Sequence, residues 1–220
     1  MKLEGITVLD LSLFLPGPAA TQIMADHGAR IIKVENPRAP EPTRSADAFP
    51  WQQGGETVMF RNTQRGKESI ALDLKTDAGK RALMALAKTV DVVVEAFRPG
   101  VAARLGIDYA TLSRDNPGLV YCSISAFGQT GPWCDRPAHD TATVAAAGVL
   151  DVTRSPEGNA GPAIIGVPIA DMLASNLALS GILMALLRRQ TTGQGDLVDI
   201  SMFESVLAAS PNIMGPVFGG

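Results

Sequence analysis

The chain has 220 residues, of which 46% are hydrophobic and 19% are charged, and its formal net charge at pH 7 is −3. This composition supplies a folded core and excludes a disordered chain. The sequence has no block of lysine and arginine, so we expect no nucleic-acid partner. Two cysteines are too few for a disulfide framework, and the first residues lack the pattern of a signal peptide. Together these features predict a cytoplasmic protein.

Strand-like and helix-like segments alternate along the chain. Residues 6–10 and 30–34 are typical of strands, and they flank a helix-like segment at 19–27 that follows Pro16-Gly17-Pro18. This order predicts a β-α-β unit with parallel strands. Further strands are expected at 69–73, 91–95, 119–123 and 197–200, and further helices at 76–88, 138–149 and 169–189. The alternation predicts an α/β fold: a Rossmann-like, mostly parallel sheet with helices on both faces.

One segment, residues 169–187, is apolar enough to suggest a membrane span. Asp171 and Asn176 interrupt it, and a charge inside a span costs much free energy. A helix buried in an α/β core is therefore favoured, and no membrane partner is expected.

The loops that follow the strands are the expected ligand sites, because open α/β sheets bind ligands beyond the carboxyl ends of their strands. The first of these loops carries Pro-Gly-Pro where a dinucleotide-binding protein would carry G-x-G-x-x-G. This difference disfavours an ordinary NAD or FAD dehydrogenase. No Cys/His group has the spacing of a zinc site, so no metal is expected.

Three residues near two expected helix starts are candidates for catalysis. His139 could act as a general base near neutral pH, but His139 and Asp140 could equally pack against and cap a helix. Asp171 lies between apolar residues at the start of the long helix. It could be a nucleophile or base in a dry pocket, or a first-turn residue that complements the helix dipole.

Four cations follow candidate strands and could together bind a polyanionic ligand such as a phosphate ester. They are Arg38, Lys75, Arg98 and Arg104. The alternative is a scatter of solvated surface charges, which is the usual role of arginine and lysine.

Nine segments occur in an order that is specific as a set. They are G-I-T-V-L-D-L from residue 5, P-G-P from 16, I-I-K-V-E-N-P from 31, K-E-S-I-A-L-D-L-K from 67, V-V-V-E-A-F-R-P-G from 92, F-G-Q-T-G-P from 127, R-P-A-H-D from 136, G-V-P-I-A-D from 166 and R-Q-T-T-G-Q-G from 189. From residue 3 to about residue 208, the chain resembles the class III CoA-transferase family, whose superfamily includes the α-methylacyl-CoA racemases.

The resemblance implies that residues 1–220 are the N-terminal portion of a CoA-binding, Rossmann-like large domain, without the family's small domain and returning C-terminal segment. Asp171 aligns with the catalytic aspartate that forms an aspartyl-CoA thioester. The positions that match CoA-binding residues are Arg38, Leu72, Lys75, Phe97 and Arg104. The implied substrates are an acyl-CoA and a carboxylic acid, with no permanently bound cofactor. The implied assembly is an interlocked homodimer or a complex with a second subunit.

Two alternatives stay open. The racemase branch uses a His/Asp pair for α-proton exchange, and His139 and Asp171 stand at the matching positions. The long stretch at 40–64 and Arg136-Pro137 resemble the transferase versions instead. Leu15 stands where formyl-CoA transferases carry glutamine, so formyl-CoA is not the expected substrate. The second alternative is an inactive CoA-binding fragment or subunit.

Overall fold

The structure is a computed structural model, and it describes residues 1–45, 51–153, 161–212 and 214–215. The strands in these ranges are β1 (Thr7–Asp10), β2 (Arg30–Glu35), β3 (Gln52–Gln53), β4 (Glu56–Thr57), β5 (Glu68–Ala71), β6 (Val92–Glu95), β7 (Val120–Ser125) and β8 (Asp196–Ser201). The helices are α1 (Pro16–Asp26), α2 (Val58–Gln64), α3 (Asp77–Ala87), α4 (Val101–Leu105), α5 (Tyr109–Leu112), α6 (Asp140–Ala146), α7 (Val149–Val152), α8 (Ile169–Thr192) and α9 (Met202–Ala208). A 3₁₀ turn covers Pro42–Arg44.

Six strands form one sheet in the order β5-β2-β1-β6-β7-β8, and every pairing within it is parallel. The short strands β3 and β4 form a separate antiparallel hairpin. The chain moves outward from β1 through β2 to β5, and then returns to place β6 on the other side of β1. The loops after β1 and β6 therefore leave the sheet in opposite directions, which creates the crevice where such sheets bind ligands.

Helices cover both faces of the sheet, as predicted. Successive strand residues point to opposite faces, so Val8 and Val92 join one apolar cluster while Leu9 and Val93 join another. The first cluster includes residues of α1, α6, α8 and α9, and the second includes residues of α3 and α5. The inner strands β1, β2, β6 and β7 are thus buried on both sides, which explains their valine and isoleucine content, whereas the edge strands β5 and β8 are partly exposed.

Helix α8 is the long apolar segment noted in the sequence. By length and composition alone it could cross a membrane. One face of it is buried in the first apolar cluster, through Ala170, Ala174, Ala178 and Ile182. Because three of these four side chains are alanines, the helix lies close to the rest of the fold, in contact with α1, β7 and β8.

Helices α2 and α5 and the β3–β4 hairpin were not predicted from the sequence, and the structure differs from the prediction at other places as well. Helix α1 begins at Pro16 and not at Ala19, because proline is well tolerated in the first turn of a helix. The helix predicted at 138–149 divides into α6 and α7 at Gly148, which has a φ of +78°. Helix α9 was not predicted, although Ser201 caps it by accepting a hydrogen bond from the Glu204 N–H at 3.1 Å.

Candidate active site

A cavity of about 590 Å³ lies where the loops after β1 and β6 diverge. Its lining is mainly apolar and comes from the loops after β1, β6 and β7, the approach to α6, and the starts of α1, α8 and α9. The lining residues are Leu13, Phe14, Pro16, Ala96, Phe97, Arg98, Pro99, Ile124, Ser125, Ala126, Pro137, Ala138, His139, Asp171 and Met202. The position matches the ligand crevice that the strand order predicts.

A second cavity of about 310 Å³ opens towards β2 and β5. Its described lining is apolar apart from Asn36 and Lys75. Leu13 and Phe97 line both cavities. The two cavities are therefore adjacent, with these two side chains between them. A long ligand could occupy both.

Asp171 lies in the first turn of α8 and is partly buried in the wall of the larger cavity. Its backbone N–H donates a hydrogen bond to Oδ1 of Asp140 at 3.1 Å, so Asp140 satisfies one free amide at the start of α8. Burial, together with the nearby Asp140 carboxylate, raises the pKa of Asp171 to about 7. Both protonation states of Asp171 are therefore populated near neutral pH, and the ionised form is the one that can act as a base or nucleophile.

His139 is the residue before α6, and its exposed side chain lines the same cavity as Asp171. Its ring meets the ring of Phe14 edge-on, with the centroids 5.8 Å apart. The structure thus brings His139 and Asp171 to one cavity, while Asp140 accepts a hydrogen bond from the backbone N–H of Asp171.

The residues expected to bind CoA divide into four groups. Leu72 and Lys75 line the smaller cavity, Arg98 lines the larger one, and Phe97 lines both. Arg38 and Arg104 are not among the described residues that line either cavity. The exposed Arg38 side chain instead approaches Asp73 at 3.6 Å, in the loop after β5.

Sequence reasoning missed Phe14 and the buried Glu95. The Glu95 carboxylate accepts hydrogen bonds from the Phe97 N–H at 2.6 Å and from the Ser123 hydroxyl. Burial raises the pKa of Glu95 to about 7. Glu95 therefore fixes the backbone of the residue that separates the two cavities. Its place at the carboxyl end of β6 was the sequence signal that could have revealed it.

Comparison with known proteins decides the family. The sequence pattern of CoA-transferase family III matches residues 3–217 of the chain. The chain belongs to this family. Family III relatives include the acetyl-CoA:oxalate CoA-transferase of Acetobacter aceti, which is 39% identical over 93% of this chain and 52% of its own length. The succinate–glutarate CoA-transferase of Agrobacterium fabrum is 38% identical over 96% of this chain and 54% of its own length.

A solved structure agrees with the sequence comparison. A CAIB/BAIF family protein from Brucella suis matches with a TM-score of 0.90 and 34% identity, over 99% of this chain and 58% of that protein. The chain spans about half the length of the curated relatives it matches. Family III membership and the α/β fold both confirm the resemblance drawn from the nine segments.

Proposed function

We propose that the chain binds an acyl-CoA and carries the nucleophile of a CoA-transferase, Asp171. The observation that carries the proposal is the position of Asp171 in the wall of a cavity that adjoins a second, CoA-suited cavity. A pKa of about 7 leaves a large fraction of this carboxylate ionised at neutral pH, although the wall excludes part of its water. A poorly hydrated carboxylate is a better nucleophile than a fully solvated one.

The proposed reaction transfers CoA from a donor acid to an acceptor acid through covalent bonds to Asp171. A carboxylate oxygen of Asp171 attacks the donor thioester carbonyl, the C–S bond breaks, and CoA leaves as a thiolate from a mixed anhydride. The thiolate then attacks the Asp171 carbonyl carbon and expels the donor acid as a carboxylate, which leaves an aspartyl-CoA thioester. An acceptor carboxylate reverses both steps, takes CoA as its own thioester, and restores the Asp171 carboxylate. Each step forms one bond to carbon and breaks another.

The two cavities suggest how CoA lies. Leu72 and Phe97 offer apolar surface for the adenine and pantetheine parts, and Lys75 and Arg98 offer charge for the phosphates. We place Arg38 and Arg104 as outer phosphate contacts, because both are exposed. The acyl thioester then reaches Asp171 in the larger cavity.

The relatives' names support an acyl-CoA and a carboxylic acid as the substrate class. Those relatives are about twice as long as this chain. We propose that the protein acts as a homodimer or together with a second subunit.

Intact-protein mass spectrometry after incubation with acetyl-CoA and succinyl-CoA tests the proposal. We expect a CoA adduct on the wild-type chain, which hydroxylamine converts to a hydroxamate at Asp171. Asp171→Ala should lose the adduct and retain CoA binding. Asp77→Ala is the matched control, because Asp77 also lies in a first helical turn but is exposed on α3. An adduct that persists in Asp171→Ala would overturn the assignment.

One observation favours a second candidate, an α-methylacyl-CoA racemase: His139 and Asp171 line the same cavity. Such an enzyme would exchange the α-proton of a 2-methylacyl-CoA with solvent. Deuterium uptake from D₂O that His139→Ala abolishes would support this activity. A transferase should tolerate His139→Ala with most of its adduct formation intact.

A further inference from the structure

Phe14 has a backbone conformation that few aromatic residues adopt. Among the described residues it is the one non-glycine residue with a positive φ, +62°. A bulky residue in this left-handed region is strained, and such strain persists where the surroundings hold it in place. Phe14 also lines the larger cavity and packs edge-on against His139. The strained residue is therefore part of the site wall.

Glu41 is the side chain that holds this backbone. Its Oε1 accepts a hydrogen bond from the Phe14 N–H at 3.0 Å, although the two residues are 27 positions apart. The same oxygen accepts the Thr43 hydroxyl at 3.0 Å. Glu41 is 1% exposed, so the bond to Phe14 is made away from water, where it orients its partner strongly.

Lys33 completes the arrangement from strand β2. Its Nζ lies 3.1 Å from Oε2 of Glu41, and both side chains are almost fully buried. Lys33 Nζ also donates to the carbonyl oxygen of Ser12. One buried ion pair thus holds the loop after β1 at Ser12 and at Phe14. On the far side of the loop, the Ser175 hydroxyl of α8 donates to the Pro16 carbonyl at 2.7 Å.

We propose that Glu41, neutralised by Lys33, is a positioning residue for the acyl-transfer site. It holds Phe14 in its left-handed conformation and so sets the Phe14 ring in the cavity wall beside His139. This inference rests on the proposed function, because it assigns to that ring the task of shaping the space around the thioester. Glu41 does not line the cavity and acts through Phe14.

Glu41 could act on the site through Phe14, or the ion pair of Glu41 with Lys33 could serve only folding. A double-mutant cycle distinguishes these two roles. If Glu41 acts through Phe14, Glu41→Ala should have no further effect on the site in a Phe14→Gly background. Glycine adopts a positive φ without strain, and Phe14→Gly also removes the ring. If Glu41 serves only folding, its effects should instead multiply with those of Phe14→Gly.

The two histidines of the chain allow a readout that needs no turnover. In ¹H–¹³C NMR of the full chain, the ring protons of His139 report on the nearby Phe14 ring, and His27 is the internal reference. We expect Glu41→Ala to move the His139 resonances towards their positions in Phe14→Gly, with His27 unchanged. The double variant should match Phe14→Gly. Unchanged His139 resonances in a folded Glu41→Ala chain would overturn the proposal.

The second readout is the rate of aspartyl-CoA formation by rapid-quench mass spectrometry. We expect Glu41→Ala and Phe14→Gly each to slow it by about 10- to 100-fold, with CoA affinity nearly unchanged, and the double variant to be no slower than Phe14→Gly. A slower double variant would overturn the proposal. Failure of the wild-type chain to form the adduct would instead contradict the proposed function. The NMR experiment would still test whether Glu41 positions Phe14, because it needs no adduct.

Two further variants keep the test decisive if Glu41→Ala does not fold. Glu41→Gln keeps an oxygen acceptor for the Phe14 N–H, so it should restore the wild-type His139 resonances at least in part. Asp91→Asn weakens the Arg189–Asp91 ion pair of 2.8 Å at the opposite end of the sheet. Asp91→Asn should lower the melting temperature without moving the His139 resonances. Full displacement of the His139 signals in Glu41→Gln, equal to that in Phe14→Gly, would count against the hydrogen bond as the cause.

Discussion

At Asp171, opposing electrostatic effects meet on one carboxylate. The start of α8 favours a negative charge there, because free amides and the helix dipole point towards it. Burial and the Asp140 carboxylate oppose ionisation, and their combined effect prevails, since the pKa rises to about 7. The fold therefore keeps Asp171 in a setting that costs stability when the group is charged, as expected of a residue retained for chemistry.

This cost predicts how stability changes with pH. A carboxyl group whose pKa is raised from 3.8 to about 7 by folding binds more protons in the folded state between those values. Stability should therefore fall as pH rises through this window. Asp171→Asn removes the ionisable group, so we expect it to stabilise the chain at pH 8 by about 1–3 kcal/mol, allowing for partial solvent access.

Thermal unfolding at pH 4 and pH 8 measures this difference. The gain in melting temperature from Asp171→Asn should be clear at pH 8 and should be much smaller at pH 4, where the carboxyl is protonated in the folded state and only about half ionised in the unfolded state. Asp77→Asn is the control, and it should show no such gain. An Asp171→Asn variant that is equally stable to wild type at both pH values would contradict the raised pKa.

Among the elements, helix α8 carries a residue of the candidate site and packs closely against the sheet. It carries Asp171 at its start, and Gly181 lies further along it, where it faces β8. A Cβ at position 181 would lie 2.6 Å from Cγ1 of Val198, well inside contact distance. Val198 is β-branched and cannot easily turn away. The absence of a side chain at Gly181 therefore sets the distance between helix and strand.

We expect Gly181→Ala to lower stability in spite of the better helix propensity of alanine. The propensity gain is about 1 kcal/mol, whereas forcing an extra methyl group into a close contact costs about 1–3 kcal/mol. The net loss should be about 1 kcal/mol, visible as a fall of about 2–4 °C in melting temperature. Ser180→Ala, at the exposed neighbouring position, should cause little change or a small gain. A rise in melting temperature for Gly181→Ala would show that α8 can shift away from β8.

The elements also show how far sequence reasoning reaches. Regular periodicity and turn residues predicted all six strands of the main sheet and the position of α8, because these signals are local. The Asp140–Asp171 contact joins residues 31 apart, and the Glu41–Phe14 contact joins residues 27 apart. No local pattern encodes such pairs, since they arise when the sheet brings distant loops together. Sequence reasoning chose Asp171 and His139 as candidates from their residue types and surroundings and assigned their roles through the family resemblance, but it found no sign of the strained Phe14.

At the scale of the whole molecule, strand order explains why one ligand can meet both cavities. The loops after β1 and β6 leave the sheet on either side of the point where the strand order reverses. Each contributes one residue to both cavities, Leu13 from the first loop and Phe97 from the second. A molecule shaped like CoA, with a charged nucleotide end and a reactive thiol end, can therefore lie across the crevice with its ends in different surroundings.

Because some residues line one cavity and others line both, substitutions should affect CoA binding and adduct formation to different extents. Lys75 lines only the smaller cavity. Lys75→Ala should therefore weaken CoA binding by about three- to tenfold and make the binding less dependent on salt. Adduct formation at saturating acyl-CoA should stay near the wild-type rate. Phe97 lines both cavities, so Phe97→Ala should weaken binding and also slow adduct formation, since it loosens the wall beside the thioester.

Isothermal titration with CoA and rapid-quench mass spectrometry measure the two quantities on the same samples. Lys88→Ala is the control for charge, because Lys88 is exposed at the end of α3 and pairs with Asp115 at 3.0 Å. Equal slowing of adduct formation at saturating acyl-CoA by Lys75→Ala and by Phe97→Ala would contradict the assignment of CoA binding to the smaller cavity and of adduct formation to the larger one. CoA would then have to lie along a path other than the crevice between β1 and β6.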